Sequence, residues 1–307
     1  MNYFIGMDVG GTSARLKLAD ESGKVLGEYT GQGCTLITTS FDYVLTQFRT
    51  VIEKALGEHR LTPQTCLGLC IGAAGIDTEE QREQYTQIFE AIGFDRKILK
   101  VYNDCELLLY VYPEQACMAI VAGTGSIIIG KDSKNNISRY GGWSHILSDE
   151  GSAFYIIRNA MESILRYMDG YGDCRVLTEL FIKESGLGTP YDIAAFVYEN
   201  IMQKSRIARF APVVDKAAEQ GDAAALDILN KAALSLFWGG STVAKAIAPV
   251  KGEPLTVIFW GSVLLNSSFV ANELKRLFLA QYPQVNIVLP DSSALDIALG
   301  IAVKSGR

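Results

Sequence analysis

The apolar residues of this chain follow two different periods. Ala14, Leu16 and Leu18 alternate with charged residues, which is typical of a half-buried strand. Residues 66–71 form one continuous apolar run, which favours a strand buried on both faces. Apolar residues between 41 and 56 recur at steps of three and four, which predicts an amphipathic helix. Strands and helices therefore alternate along the chain.

This alternation predicts an α/β fold in which helices pack on a mixed sheet. Ser40 and a capping box from Thr78 to Gln81 indicate two helix starts. In the first part, after a hairpin, the predicted elements are strands at 25–31, 66–71 and 98–102, helices at 41–56 and 79–92, and a helix over 106–112. In the second part they are strands at 117–122, 127–130, 137–140 and 255–260, a helix at 152–168, mostly helices over 175–248 and a closing helix from 292 to about 303.

The first hairpin, Phe4 to Lys17, has a polar tip between two apolar strands. Asp8 precedes the pair Gly10 and Gly11, and two hydroxyl residues follow. Glycines in a tight turn leave backbone N–H groups open to an anion such as phosphate. A carboxylate beside bound phosphate calls for a cation, so Asp8 is a candidate partner of Mg²⁺, usually through water. An ordinary hairpin with a solvated aspartate remains the alternative.

A second hairpin of the same kind occurs more than a hundred residues later. Met118 to Gly130 places a Gly-Thr-Gly-Ser tip between two apolar strands. Two such hairpins predict a duplicated architecture in which one nucleotide binds between two halves.

These motifs resemble those of a known family. The motifs lie at residues 6–17, 103–104, 121–126, 141–152, 260–263 and 292–300. Their order and spacing are similar to those of the sugar kinase/Hsp70/actin superfold, and within it to the N-acetylglucosamine kinase and BadF/BadG/BcrA/BcrD ATPase group. The resemblance implies two ribonuclease H-like domains of this type around a central cleft. We expect the domains at 1–116 and 117–307, the second with helical insertions, and the last helix (about 293–304) returning toward the first.

Asn103 and Asp104 follow a predicted strand, at the edge where open α/β sheets place their ligand-binding and catalytic residues. One interpretation makes Asp104 the general base that takes a proton from the attacking sugar hydroxyl. The other is that either residue merely caps the next helix. The resemblance favours the base, because the family carries its catalytic aspartate in the same Asn-Asp context.

Residues 141–152 resemble the GGW…DEGS signature of the N-acetylglucosamine kinases. Trp143 offers an indole for a sugar face, and Asp149 and Glu150 offer carboxylates for sugar hydroxyls. Alternatively, the two acids only complement the dipole of the helix that follows. His145 is interpreted as a structural neighbour of the sugar rather than as a catalyst.

The resemblance implies ATP-dependent phosphorylation of an amino sugar, N-acetylglucosamine at its 6-hydroxyl, with ATP and Mg²⁺. Asp104 is the expected catalytic residue and Asp8 the expected metal partner. The expected nucleotide-binding residues are Gly10, Gly11, Thr12, Ser13, Gly123, Thr124, Gly125, Ser126, Gly261 and Ser262, the last two on the adenosine side unless they form a plain strand-to-helix turn. The expected sugar-binding residues are Asn103, Trp143, Ser144, His145 and Asp149. Where the family usually has a sugar-binding asparagine, this chain has Cys34, which leaves the amino sugar open.

Composition and charge limit the partners, the location and the alternative functions that this protein can have. A net charge of −6 and a pI near 5.1 argue against nucleic acid or an anionic membrane as a partner. The start at Met1 to Phe4 lacks the features of a signal peptide, so a cytoplasmic protein is expected. A homodimer is compatible with the sequence. The alternatives are an activator ATPase with an iron–sulfur cluster and a non-catalytic sugar-binding protein. The first is disfavoured because the six cysteines mostly lie in predicted apolar strands. A sugar-responsive repressor is disfavoured because there is no room for a DNA-binding arm before Phe4.

Overall fold

The computed structural model describes residues 1–11, 13–112, 115–247 and 254–306. The chain divides into two compact units. Unit 1 comprises residues 1–113 together with 291–307, and unit 2 comprises residues 114–290. Each unit has its own hydrophobic core.

The described residues form ten strands and eleven α-helices. The strands are β1 (Tyr3–Val9), β2 (Ser13–Asp20), β3 (Val25–Gln32), β4 (Cys66–Ala73), β5 (Leu99–Asn103), β6 (Cys117–Ala122), β7 (Ser126–Lys131), β8 (Ile137–Gly141), β9 (Thr256–Trp260) and β10 (Asn286–Val288). The helices are α1 (Phe41–Glu58), α2 (Glu79–Ile92), α3 (Ala153–Met168), α4 (Arg175–Ser185), α5 (Pro190–Asn200), α6 (Lys204–Ala208), α7 (Pro212–Glu219), α8 (Ala223–Ile247), α9 (Ser262–Asn266), α10 (Ser268–Gln281) and α11 (Ala294–Ser305).

The two units repeat one sheet topology. Unit 1 has the strand order β3-β2-β1-β4-β5, and unit 2 has the order β10-β9-β6-β7-β8, which is the same succession read from the other edge. In each unit the first three strands pair antiparallel and the remaining pairs are parallel. The prediction of a duplicated α/β architecture is therefore confirmed.

Local sequence determines where the helices of unit 1 begin. The side chain of Ser40 accepts a hydrogen bond from the Tyr43 N–H, and Thr78 and Gln81 form the expected capping box. Each cap satisfies N–H groups that have no partner inside the helix. Both predicted helix starts are confirmed.

The helix α11 packs on β1 and β4 of unit 1. A side chain at Gly6 or Gly68 would collide with the backbone of Leu299 or Ala302, so two glycines allow the helix to lie directly on the strands. Ser293 caps this helix, which begins one or two residues later than predicted. The close approach fixes the position of β1, whose far end carries Asp8.

The segment after Asp104 differs from the prediction. Residues Glu106–Val111 form a 3₁₀ helix rather than an α-helix. Its turns close through bonds from the Leu108 N–H to the Cys105 carbonyl and from the Tyr112 N–H to the Leu109 carbonyl. Turns of 3₁₀ type are frequent in short connectors between longer elements, and this segment connects β5 to the start of unit 2.

Within the described ranges, no helix combines the length and apolar character needed to cross a bilayer.

Candidate active site

The first hairpin of unit 1 has an open tip and an ion pair at its base. Asp8 on β1 lies opposite Arg15 on β2 and pairs with its guanidinium. The N–H of Gly10 donates to the carbonyl of Ser13 at 2.9 Å, which closes the turn. Apart from the adjacent residues of the chain, no atom of the described ranges lies within 4 Å of a Cβ placed at Gly10 or Gly11, so a ligand can approach this backbone. Thr12, also predicted here, lies outside the described residues. Arg15 was missed by the sequence analysis, although its register opposite Asp8 follows from the hairpin.

Asn103 and Asp104 form a hydrogen-bonded corner at the end of β5. The N–H of Asp104 donates to the carbonyl of Ala73 at the end of β4, 3.3 Å away. The Oδ1 atoms of Asn103 and Asp104 both accept from the Cys105 N–H at 2.9 Å. The Nδ2 of Asn103 donates to Asp77 at 3.3 Å. The side chain of Asn103 thus has protein partners at both its ends, and it holds the corner that presents Asp104.

The carboxyl of Asp104 has an unusual proton affinity for an aspartate. Burial raises its pKa above the ordinary value, and the neighbouring charges of Asp8 and Asp77 raise it further. The hydrogen bonds from Cys105 act in the opposite direction but are outweighed. A raised pKa makes the carboxylate a better proton acceptor, which is the property that a general base requires.

A buried acid behind this corner holds it in place. Glu106 is almost fully buried, and its Oε2 accepts from the Asn103 N–H and from Arg82, both at 3.2 Å. Tyr110 donates to its other oxygen at 3.4 Å. Sequence analysis missed this cluster, although a single acid within the apolar run 105–112 was a usable signal.

The glycine loop of unit 2, residues 123–125, is anchored to the start of α3. The N–H of Ala153 donates to the Gly123 carbonyl at 2.8 Å, and that of Phe154 donates to the Thr124 carbonyl at 3.3 Å. Ser126, predicted to contact phosphate, donates its hydroxyl to the carbonyl of Glu150 at 2.8 Å. The loop is therefore a rigid turn beside the positive end of a helix dipole.

Gly261 and Ser262 lie against this same loop, although they are far away in sequence. A side chain built at Gly123 would approach Ser262 N and Oγ to 3.8 Å. Gly261 has a φ of +94°, and a Cβ there would lie 2.5 Å from the carbonyl oxygen of Ala122. Only glycine satisfies both restrictions. The two predicted nucleotide motifs of unit 2 thus converge.

A cavity of about 350 Å³ opens beside these two motifs within unit 2. It is bounded by the glycine loop, the start of α3, the segment from α6 to α7, and α9. The lining residues are Thr124, Ala153, Ile156, Ser205, Ala208, Arg209, Ala211, Pro212, Asp215, Ser262, Val263, Asn266 and Ser267. Thr124 and Ser262 were predicted as nucleotide-binding residues. The residues of α6 and α7 carry no recognisable motif, so only their folding together identifies them.

The segment 141–152 brings some of the predicted sugar residues into defined positions. Trp143 is two-thirds exposed, and the guanidinium of Arg139 lies 4.1 Å from the centre of its ring. Ser144 accepts a hydrogen bond from the Ile146 N–H. His145 shares a hydrogen at 2.8 Å with the Ile201 carbonyl, and its ring packs edge-on against Phe154. Because a carbonyl only accepts, Nε2 of His145 carries the proton, and the ring is held by the protein itself.

Asp149 is buried and paired with a lysine that the sequence analysis did not find. Lys204, the first residue of α6, donates to Oδ2 of Asp149 at 2.9 Å. A side chain at Gly125 would lie 2.5 Å from both the Asp149 oxygen and the Lys204 nitrogen. The ion pair therefore touches the glycine loop, and the absence of a side chain at Gly125 makes room for it.

Cys34, the departure from the family pattern, faces the core of unit 1. It is only 1% exposed, and burial raises the pKa of its thiol to about 11. The side chain at this position contacts the protein interior and offers nothing to a ligand at the surface.

The residues present suit Mg²⁺ and a nucleotide. Among the described residues, no cluster of three or more His, Cys, Asp or Glu side chains could hold a metal ion unaided. Magnesium usually binds one or two carboxylates and completes its shell with water and phosphate oxygens, so Asp8 beside an open backbone turn fits that requirement. The cavity of unit 2 and the glycine at 261 fit a nucleoside that lies against main chain.

Comparison with known proteins places these features in a family. The family model described as BadF/BadG/BcrA/BcrD ATPase matches residues 5–303. A Clostridium acetobutylicum protein named N-acetylmuramic acid/N-acetylglucosamine kinase is 28% identical, over 99% of this chain and 98% of its own length. A Dictyostelium discoideum protein named N-acetyl-D-glucosamine kinase is 23% identical, over 98% of this chain and 96% of its own length. A Chromobacterium violaceum structure, provisionally named as an N-acetylglucosamine kinase, superposes with a TM-score of 0.74 at 22% identity. The match covers 98% of this chain and 99% of that one. The predicted fold class, with ribonuclease H-like units of the sugar kinase/Hsp70/actin type, is confirmed.

Proposed function

Because this chain belongs to the BadF/BadG/BcrA/BcrD ATPase family, we propose that it is a kinase that transfers the terminal phosphoryl group of ATP to an amino sugar. The acceptor we propose is the 6-hydroxyl of N-acetylglucosamine. The observation that carries this proposal is the corner at the end of β5, where burial and two neighbouring carboxylates raise the pKa of Asp104. Two relatives named as kinases of N-acetylated amino sugars, aligned over almost the whole chain, support the substrate class.

In the proposed reaction, Asp104 accepts the proton of the sugar 6-hydroxyl. The sugar oxygen forms a bond to the γ-phosphorus, the bond from that phosphorus to the β,γ-bridging oxygen breaks, and ADP leaves. Such a transfer needs an oriented hydroxyl, a proton acceptor and positive or N–H groups around the phosphates. Asn103 and Glu106 hold Asp104 in place, so they act as positioning residues.

The nucleotide is assigned to residues of both hairpins. We assign phosphate binding to the backbone of Gly10, Gly11 and residues 123–125, with Thr12, Ser13 and Ser126 beside them. The nucleoside is assigned to the cavity at Thr124 and Ser262, against Gly261. Asp8 would hold Mg²⁺, which when bound neutralises phosphate charge. Arg15, the present partner of Asp8, would then release that carboxylate or share it.

We assign sugar binding to Asn103, Trp143, Ser144, His145 and Asp149. The exposed indole of Trp143 offers a flat apolar face, and the buried carboxylate of Asp149 is a strong acceptor for sugar hydroxyls. The ammonium of Lys204 holds Asp149 against the glycine loop, which places a cation where phosphate oxygens are proposed to bind.

Substitution of both partners of the Asp149–Lys204 pair distinguishes a sugar contact from an ion pair that only stabilises the fold. Loss of a hydrogen bond to a charged group reduces affinity about 10- to 100-fold, so we expect Asp149→Asn to raise the KM for sugar by that factor. The double variant Asp149→Asn, Lys204→Met should remain equally defective. Recovery of near-normal kinetics in the double variant would mean that Asp149 serves only to pair with Lys204. Asp227 and Lys231 form an exposed pair on α8, and the double variant Asp227→Asn, Lys231→Met is the matched control. It should change neither the KM for sugar nor kcat.

The activity itself is tested with a panel of acceptors. ADP release is measured with N-acetylglucosamine, N-acetylmuramate, N-acetylmannosamine, glucosamine and glucose, and the product is located by phosphorus NMR. We expect the highest kcat/KM for N-acetylglucosamine, with phosphate on the 6-oxygen. The 6-deoxy analogue should bind as a competitive inhibitor and release no ADP. Absence of turnover with every sugar of the panel would contradict the proposal.

The iron–sulfur alternative receives no support from the cysteines, which all lie in the described part of the chain. Five of the six are buried, and Cys105 is partly exposed. Burial raises the pKa of Cys66 to about 12 and that of Cys117 to about 11, which disfavours the thiolates that ligate iron.

A further inference from the structure

The nucleotide cavity of unit 2 contains a carboxylate that neither hairpin motif accounts for. Asp215 lies in α7, and among the cavity-lining residues that the structure describes it is the one acid. It is half-buried, and in the described ranges no lysine or arginine forms an ion pair with it. An acid in such a position is costly unless a ligand donates hydrogen bonds to it.

The orientation of Asp215 is set by the start of α10. The hydroxyl of Ser267, which is almost fully buried, donates to Oδ1 of Asp215. The same oxygen of Ser267 accepts the Val270 N–H and so caps α10. Because Oγ of Ser267 accepts the Val270 N–H through a lone pair, its single proton remains for the bond to Asp215. No hydrogen bond from another described residue reaches Oδ2, which leaves this acceptor for a ligand.

The distance from the phosphate loop indicates which part of a nucleotide reaches this carboxylate. Ser262, at the start of α9, lies beside Gly123 of the glycine loop, and Ser267 follows the end of that helix. A rise of about 1.5 Å per residue places Ser267 roughly 7 Å farther along the cavity wall. This is somewhat more than one helical turn beyond the proposed phosphate site, where the ribose between phosphate and base would lie. A carboxylate cannot donate, so its ligand must offer hydroxyl or amino protons.

We infer that Asp215, held by Ser267, binds the vicinal ribose hydroxyls of the nucleotide and makes the site selective for ribonucleotides over deoxyribonucleotides. The inference deepens the proposed function, on which it rests. Acidic side chains bind ribose hydroxyls in the same way in the unrelated dinucleotide folds. Burial raises the pKa of Asp215, consistent with a carboxylate whose hydrogen bonds are incomplete without ligand.

Calorimetric titration with ADP, 2′-deoxy-ADP and GDP tests the inference without any sugar. The wild type should bind 2′-deoxy-ADP about 10- to 100-fold more weakly than ADP, because a hydrogen bond to a charged acceptor is lost. In Asp215→Asn the two affinities should converge to within about threefold, since the charged acceptor is gone. Asp227→Asn removes an exposed acid of α8 in the same unit and should keep the wild-type ratio.

Each other outcome has a distinct meaning. Equal binding of ADP and 2′-deoxy-ADP by the wild type would overturn the inference and leave the kinase proposal standing. In Asp215→Asn, the ratio of the Kd values for 2′-deoxy-ADP and ADP could stay unchanged while the ratio for GDP and ADP changes. That result would assign the carboxylate to the base edge and would also overturn the inference. No binding of any nucleotide by the wild type would overturn the proposed function and this inference together. The wild-type comparison needs no variant, so a folding defect cannot obscure it.

Discussion

Replacement of Asp104 by asparagine is expected to reduce kcat for sugar phosphorylation about 100- to 10,000-fold, the usual contribution of a general base. Asparagine keeps the size of the side chain and can still accept the Cys105 N–H, so the corner at the end of β5 should persist. Nucleotide affinity, measured by calorimetry, should change little. A variant with more than a tenth of the wild-type kcat would exclude Asp104 as the base.

The same variant is expected to gain thermal stability at neutral pH. The pKa of Asp104 is higher in the folded protein than the ordinary value, so ionisation of this carboxyl destabilises the fold at every pH above the unfolded pKa. Asparagine removes that charge. The gain should disappear below about pH 4, where the carboxyl is protonated in both states. Asp42→Asn, at an exposed position in the first turn of α1, is the control and should alter neither kcat nor this pH dependence.

Alanine at Gly261 is expected to damage nucleotide binding and stability together. The φ of +94° is strained for any residue with a Cβ, at a cost of about 1–3 kcal/mol. The added carbon would also lie 2.5 Å from the Ala122 carbonyl oxygen and 2.9 Å from the Gly123 nitrogen, so β6 or the glycine loop must shift. We expect the Kd for ADP to rise at least about tenfold, since misplaced phosphate donors cost several hydrogen bonds.

The control for Gly261→Ala is a glycine without these restrictions. Gly300 lies within α11, and outside the local backbone of this helix no described atom lies within 4 Å of a Cβ built there. Alanine in a helix interior is favoured over glycine by about 0.5–1 kcal/mol, so Gly300→Ala should raise the free energy of unfolding. Equal behaviour of the two variants in chemical denaturation would contradict the close contact at Gly261.

Local signals were sufficient for most of the fold. The strand predicted at 117–122 has those bounds, and Ser40 and Thr78 cap the helices that they were expected to cap. These features depend on periodicity and on hydrogen bonds between residues three apart, which a single sequence displays. The 3₁₀ helix after Asp104 was not predicted, because the apolar run 105–112 has no local signal that separates this winding from an α-helix.

The candidate site was predictable only where a motif exists. Glycine tips and the strand-end aspartate mark one part of it, whereas Lys204 and Asp215 lie in a helical region with no motif. Lys204 reaches Asp149 across 55 residues, and Asp215 reaches Ser267 across 52. Such pairs depend on how α6, α7 and α10 pack, and no spacing along the chain reports that packing. Cys34 shows the opposite case, since its poor hydrogen-bonding capacity agrees with a buried side chain.

The close packing of α11 on β1 and β4, which Gly6 and Gly68 permit, has a consequence for folding during synthesis on the ribosome. This helix covers β1 and β4, yet all of unit 2 is synthesised between those strands and the helix. Vectorial synthesis therefore delivers every residue of unit 2 before unit 1 can cover its sheet. Until then the nascent first sheet keeps an apolar face exposed, and it is the part of the chain that a chaperone would be expected to protect.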